Sequence, residues 1–313
     1  MITTKQIMDD LKSDRIKKVI LDGDYNGEID DQYTLAYALG CPELDILGVC
    51  ASAQYEEIVA EDTEEVMLRA IRDVKTTYEA LDIDYDKIPL FEGARCRISM
   101  NPGLAPTDSP AARFIIEMAH KYDEPIYVLV TGPCTNVISA CLMDPTIMDK
   151  IVVAWLGGDC VYKEKGGFHE WNLYSDYAAS QYLMNLPVAV VWLPCSPDGS
   201  VVLDMFHEDL NKLEGDSKAA RHLKRELPLK IFSEERFARP DWHKVMCDYM
   251  AVAIFRCPDA MDIYEMPAPA IADGEFYAID STRKPILCAV RPDNRRIIDD
   301  SIDALNRVIK ERL

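Results

Sequence analysis

The segment DGDYNGEIDD carries five carboxylates, Asp22, Asp24, Glu28, Asp30 and Asp31, within ten residues. Like charges this close raise one another's pKa unless a cation neutralises them, so a bound cation is the economical reading. Asp at the start of a helix can also cap free N–H groups and meet the positive end of the dipole, and for Asp30 that reading stays open. The five histidines include no H-E-x-x-H arrangement, and the ten cysteines, from Cys41 to Cys288, include no C-x-x-C pair. The expected ion is therefore a hard cation held by oxygen.

The surrounding pattern says where these carboxylates sit. KKVILD (17–22) reads as a strand and residues 30–39 as a helix, so the acids gather at a strand's carboxyl end and a helix start. LDILGVCA reads as the next strand, followed by an acidic helix over 56–72. Then come strand PIYVLV (125–130), a helix from Pro133, strand KIVVAWL (150–156), a helix over 176–184 and strand PVAVVWL (187–193). This alternation predicts an α/β fold: an open, mostly parallel twisted sheet flanked by helices. The charged stretch 208–239 reads as a helical insertion. With no repeat and no low-complexity linker, residues 1–313 read as one domain. In such sheets ligands sit beyond the carboxyl ends of the strands, where the acidic segment lies.

Composition narrows the partners. The formal charge is -20, from 54 Asp and Glu against 34 Lys and Arg, which disfavours nucleic acid and anionic membrane surfaces as partners. The first residues lack the apolar stretch of a signal peptide, and the longest apolar run, Leu186 to Leu193, falls short of the ~20 residues a spanning helix needs. Scattered unpaired cysteines fit reduced thiols in the cytoplasm.

Five segments together resemble the inosine–uridine-type nucleoside hydrolases. D-x-D at a strand end is followed by D-D and the Ala/Leu-rich TLAYAL (34–39), in the branch with a YNGEIDDQ-like first loop. TGPCTN (131–136), IVVAWLGGD (151–159), HEWNLYSDYAAS (169–180) and MCDYMAVA (246–253) follow in the family's order, so the resemblance covers 17 to about 256. It implies a calcium-dependent hydrolase that cleaves the N-glycosidic bond of ribonucleosides, working as a homodimer or homotetramer. By motif, Asp24, Asp31, Asp248 and the Thr131 carbonyl would bind Ca2+, and Asp24 would take a proton from the attacking water. Asp30, Glu170 and Asn172 would hold ribose hydroxyls, with Asp22 supporting the site from behind. Thr135 and Asn136 read as caps of the helix after TGPC.

The resemblance weakens around the base. Cys247 stands where the family carries His or Trp, CASAQY (50–55) replaces the usual loop, and Glu164 lies nearest an expected Asn. His243 is the candidate proton donor to the leaving base, on Cys247's side if 243–247 is helical; a loop histidine without a role is the alternative. Trp171 and Trp242, with Tyr25, Tyr55 and Tyr249, are candidate base contacts or packing residues. Two rivals remain: a weakly active riboside-binding relative, and a magnesium-dependent phosphatase built on Asp22. The second is disfavoured because Tyr25, not Thr or Val, follows the second aspartate, and Gly157-Gly158-Asp159 lacks the expected acidic partner.

Overall fold

The computed structural model describes residues 2–25, 27–52, 63–162, 170–272 and 276–310. Its strands begin with β1 (Lys17–Gly23), β2 (Leu44–Ala51), β3 (Leu90–Glu92), β4 (Ile126–Val130), β5 (Ile151–Leu156) and β6 (Ala189–Leu193). A short antiparallel ribbon follows, β7 (Asp204–Phe206) with β8 (His243–Val245), then β9 (Asp262–Pro267), a second ribbon of β10 (Ala270–Ala272) with β11 (Phe276–Ala278), and β12 (Pro285–Val290). Eight of these form one sheet in the order β3-β2-β1-β4-β5-β6-β12-β9. Every pairing in it is parallel except β12 with β9.

β1 is buried at every position but Lys18, as expected of a strand covered on both faces. Val19 and Leu21 point into a core shared with α2 (Asp30–Leu39), α3 (Thr63–Leu81), α12 (Tyr249–Arg256) and α13 (Asn294–Lys310). Ile20 points into the opposite core, built by α4 (Pro110–Lys121), α5 (Thr135–Met143) and α7 (Tyr177–Asn185). α1 (Thr4–Leu11) opens the chain, and α6 (Trp171–Ser175) is a single turn before α7. This is the expected α/β architecture with a mostly parallel sheet.

The details differ at three places. The acidic helix expected over 56–72 is described from Thr63 and continues to Leu81, because Val74, Tyr78 and Leu81 keep an apolar face on the core. The insertion is fragmented into α8 (His207–Leu210), α9 (Lys218–Arg221), a π-helical turn at His222–Glu226, α10 (Pro228–Ile231) and α11 (Glu234–Phe237). Ser217 and Ser233 cap two of these starts through Ala220 N and Arg236 N, both at 3.2 Å, and Pro228 opens another. β12 and β9 complete one side of the sheet and α13 packs on it, all beyond the runs that read as elements in the sequence.

One buried carboxylate ties together the elements behind the strand ends. Asp176 caps α7 through Ala179 N at 3.3 Å and accepts from Ile98 N at 2.7 Å, Ser99 Oγ at 2.6 Å and Thr135 Oγ1 at 2.8 Å. Removing it leaves buried donors without acceptors. Asp176→Ala is expected to lower folding stability by about 2–5 kcal/mol, measured by denaturant unfolding; a loss below about 1 kcal/mol would contradict this role.

Candidate active site

The strand order reverses at β1, with β2 and β3 on one side and β4, β5 and β6 on the other. The crevice beyond the carboxyl ends of β1 and β4 is therefore the topological switch point where ligands bind in open α/β sheets. Asp24 follows β1 directly and Thr131 follows β4. Asp31 lies in the first turn of α2, and Asp248 precedes α12. All four residues are buried. Asp31 accepts a hydrogen bond from Thr131 Oγ1 at 2.8 Å and lies in hydrogen-bond contact with both Asp24 and Asp248. Asp248, distant in sequence, thus meets Asp24 and Asp31 at one point.

Close backbone approach makes this meeting possible. A Cβ on Gly23 would strike the Asp31 carboxylate and come within 2.9 Å of Thr131 Oγ1, and one on Gly132 would sit 2.9 Å from Asp24 Cβ. Any side chain at either glycine would push the acids apart.

Burial raises all of these carboxyls, and neighbouring carboxylate charges raise Asp24, Asp31 and Asp248 further. Burial, then the Asp31 charge, holds Asp24 well above the usual carboxylate range. Burial and the Asp31, Asp30 and Asp24 charges do the same to Asp248. Asp31 is pushed up to about 7 by burial and Asp30. Asp22, fully buried behind them, is also raised to about 7 by burial. Its Oδ1 accepts from Ser52 Oγ at 2.7 Å and Asn136 Nδ2 at 2.9 Å, while Oδ2 lacks a partner among the described residues.

No group of three or more His, Cys, Asp or Glu side chains among the described residues has the spacing of a preformed metal cage. The acids instead lie in hydrogen-bond contact with one another. A proton and a divalent cation are alternative ways of cancelling the same charge. An oxygen-only set of three buried carboxylates beside the Thr131 carbonyl is donor chemistry that suits a hard cation.

Asp30 is buried beside these ligand candidates. Asn172, on α6, spans two strand ends: its Nδ2 donates to Thr131 O at 3.1 Å and Leu156 O at 3.0 Å. The Thr131 carbonyl keeps a second lone pair for another partner. Glu170 caps α6, accepting from Asn172 N at 3.0 Å and Leu173 N at 2.8 Å, and also holds Gly158 N at 2.5 Å. Gly158 has a φ of 71°, a turn that favours glycine. The motif residues 170–172 thus lie beside the strand ends, with Trp171 exposed on the same turn.

Several expectations need correcting. Residues 243–245 form strand β8, not a helix, so His243 and Cys247 do not share a helical face. His243 Nδ1 pairs with Asp204 Oδ1 at 2.9 Å on an exposed side of the ribbon. Trp242 is buried edge-on to Phe232 and Phe237, with ring centroids 5.5 and 5.2 Å away, and is a packing residue. Tyr249 is buried against Tyr37 at 5.2 Å, and Tyr25 is buried next to Gly23. Tyr55 and Glu164 lie outside the described residues. Asn136 and Thr135 do not cap α5: Asn136 joins Asp22 to the 94 turn through Ala94 N at 2.7 Å, and Thr135 binds Asp176.

The acidic segment also has a cation that spacing in sequence concealed. Lys244, buried on β8, lies 2.5 Å from Glu28 Oε2 and 3.3 Å from Asp30 Oδ1. It reaches the loop from 214 residues away, so only the folded ribbon brings it there.

The chain resembles known proteins in sequence and fold. Residues 19–296 match the family described as inosine-uridine preferring nucleoside hydrolase. Among curated relatives, the pyrimidine-specific ribonucleoside hydrolase RihA of Escherichia coli O127:H6 is 25% identical over 183 residues, 52% of this chain and 55% of that protein. The RihA of Salmonella newport is 24% identical over 178 residues with the same coverage. The match thus spans about half the length of these relatives. Among solved structures, the plant nucleoside hydrolase PpNRh1 aligns with a TM-score of 0.68 at 20% identity, over 93% of this chain and 99% of its own. A purine-preferring ribonucleoside hydrolase from Gardnerella vaginalis aligns with a TM-score of 0.69 at 19% identity, over 94% and 99%. Those two likenesses establish a common fold. With the family match running from the first strand into the last helix, the chain belongs to the inosine-uridine preferring nucleoside hydrolase family.

Proposed function

We propose that this protein hydrolyses the N-glycosidic bond of ribonucleosides to ribose and free base, with Asp24, Asp31, Asp248 and the Thr131 carbonyl as ligands of calcium. The observation that carries this reading is the convergence of the three buried aspartates at the switch point. A metal-dependent active site is a property of the family. Calcium would supply charge neutralisation among the acids and a polarised water beside the sugar.

The chain's own groups then divide the work. Asp24 accepts the proton of the attacking water as general base. The remaining carboxylates favour the positive charge that grows on the sugar in an oxocarbenium-like transition state. Asp30 and Asn172 orient ribose hydroxyls, and Glu170 fixes the turn that carries Asn172. Trp171, exposed beside them, offers a face to the base. The substrate is an uncharged nucleoside or riboside, because Lys244 is already taken by Glu28 and Asp30 and no other cation is paired with the acidic loop among the described residues.

A second reading, a riboside-binding relative with weak turnover, is favoured by one observation. Cys247 stands where the family carries a leaving-group histidine, and His243 is paired elsewhere. A turnover assay with calcium present separates the two.

Asp24→Asn is expected to lower kcat on inosine or uridine by at least about 10²-fold; a smaller loss would remove Asp24 as the base. His243→Ala is expected to change kcat on inosine by less than about threefold, since its side chain is engaged with Asp204; a loss of about 10²-fold would restore it as the acid. The pH dependence follows from the raised carboxyls. A carboxyl whose folded pKa exceeds its unfolded value stabilises the fold most below the unfolded value, and loses that contribution as pH rises through about 7. In chelator, stability should therefore fall between about pH 4 and pH 7. Calcium needs the deprotonated acids, so the unfolding-temperature gap between calcium and chelator should widen over that range. A gap independent of pH would contradict it.

A further inference from the structure

The β7–β8 ribbon is registered with Met205 opposite Lys244 and Phe206 opposite His243. Side chains alternate along a strand, and the two neighbours separate accordingly. His243 lies outward against Phe206, ring centroids 5.8 Å apart, and on Asp204. Lys244 turns inward, 7% exposed, against the start of α2. Its ammonium has three acceptors: Asp30 Oδ1 at 3.3 Å, Glu28 Oε2 at 2.5 Å and the Val245 carbonyl. A buried ammonium is costly unless paired. Four residues later the same segment delivers Asp248 to Asp24 and Asp31.

The two deliveries sort the acids of the first loop. Asp31 is bound to Asp24 and Asp248, whereas its neighbour Asp30 is held by the lysine. Glu28, at 64% side-chain exposure, lies on the solvent side of the ammonium, while Asp30, at 9%, lies on the buried side. A lysine needed only to anchor the ribbon would be served by the exposed glutamate and the Val245 carbonyl. Its bond to the inner acid constrains a group that neighbours the ligand candidates.

We propose that Lys244 is a positioning residue for substrate binding: it holds the Asp30 carboxylate in place to accept a sugar hydroxyl, and so sets affinity for the ribose. This rests on the nucleoside-hydrolase reading of the site above. Lys244 makes no contact with substrate and takes no part in bond breaking. The ribbon becomes part of the recognition machinery, because a shift of β8 moves Asp30 as well as Asp248.

The experiment is a double-mutant cycle of Lys244→Met and Asp30→Ala in the calcium-loaded enzyme, with kcat and KM read separately on inosine and uridine. Losing a charge-assisted bond that serves binding alone should raise KM by about tenfold or more and move kcat by less than about threefold. The two substitutions should be non-additive in KM, since the lysine acts through the aspartate. Lys244→Arg, which keeps the charge, should bring KM back toward the wild-type value. If Lys244→Met does not accumulate folded, Lys244→Gln takes its place in the same cycle with the same expectation. A merely structural tether would lower the unfolding temperature and the active fraction, hence kcat, and leave KM unchanged. Unchanged KM, or additive effects, overturns the inference while leaving the hydrolase reading intact. Absence of base release by the wild-type enzyme overturns the reading beneath it, and this inference with it.

Discussion

Burying like charges in contact is among the costliest arrangements a fold can adopt, and the structure around Asp24, Asp31 and Asp248 is organised to hold it. Each side chain comes from a different segment: the end of β1, the first turn of α2 and the start of α12. Once ionised, none could be drawn inward by the others, since like charges repel. The sheet and the helices packed on it supply the force, through apolar burial on both faces of β1. Gly23 and Gly132 make room where a Cβ would collide. What remains is charge to be cancelled, by shared protons or by a divalent cation.

Behind that point lies a second layer of polar bonds that fixes the loops. Asp22, Ser52 and Asn136 join the ends of β1 and β2 to α5, and Asn136 also holds the 94 turn. Asp176 ties α5, α7 and the turn at 98–99 into one block. Glu170 and Asn172 secure the β4 and β5 strand ends to α6. Asn136, Asp176 and Glu170 have their hydrogen bonds directed at protein groups, which suits residues that hold others still.

The legible parts were those written locally. The runs KKVILD, PIYVLV and KIVVAWL are apolar enough to read as strands of a sheet covered on both faces, and the acidic segment after the first of them pointed to the site. The resemblance linked Asp248, Asn172 and Thr131 to that segment across long gaps in sequence. Less was legible where tertiary contacts decide. Lys244 looks like one charge among many in a polar stretch, and its meeting with Asp30 depends on a ribbon whose two strands are three residues each. The same ribbon overturned the helical placement of His243. Asn136 sits where a helix cap is expected, yet its Nδ2 donates to Asp22 and its Oδ1 accepts from Ala94 N in another loop, contacts that only the folded chain brings together.

The whole arrangement turns on whether the three aspartates share one cation. Titration calorimetry of calcium into chelator-stripped protein, compared with Asp31→Ala, measures this most directly. The account predicts one calcium per chain in the wild type and no measurable binding in the variant, with both proteins folded. Absence of binding to the wild type, or one calcium per chain retained by Asp31→Ala, would contradict it.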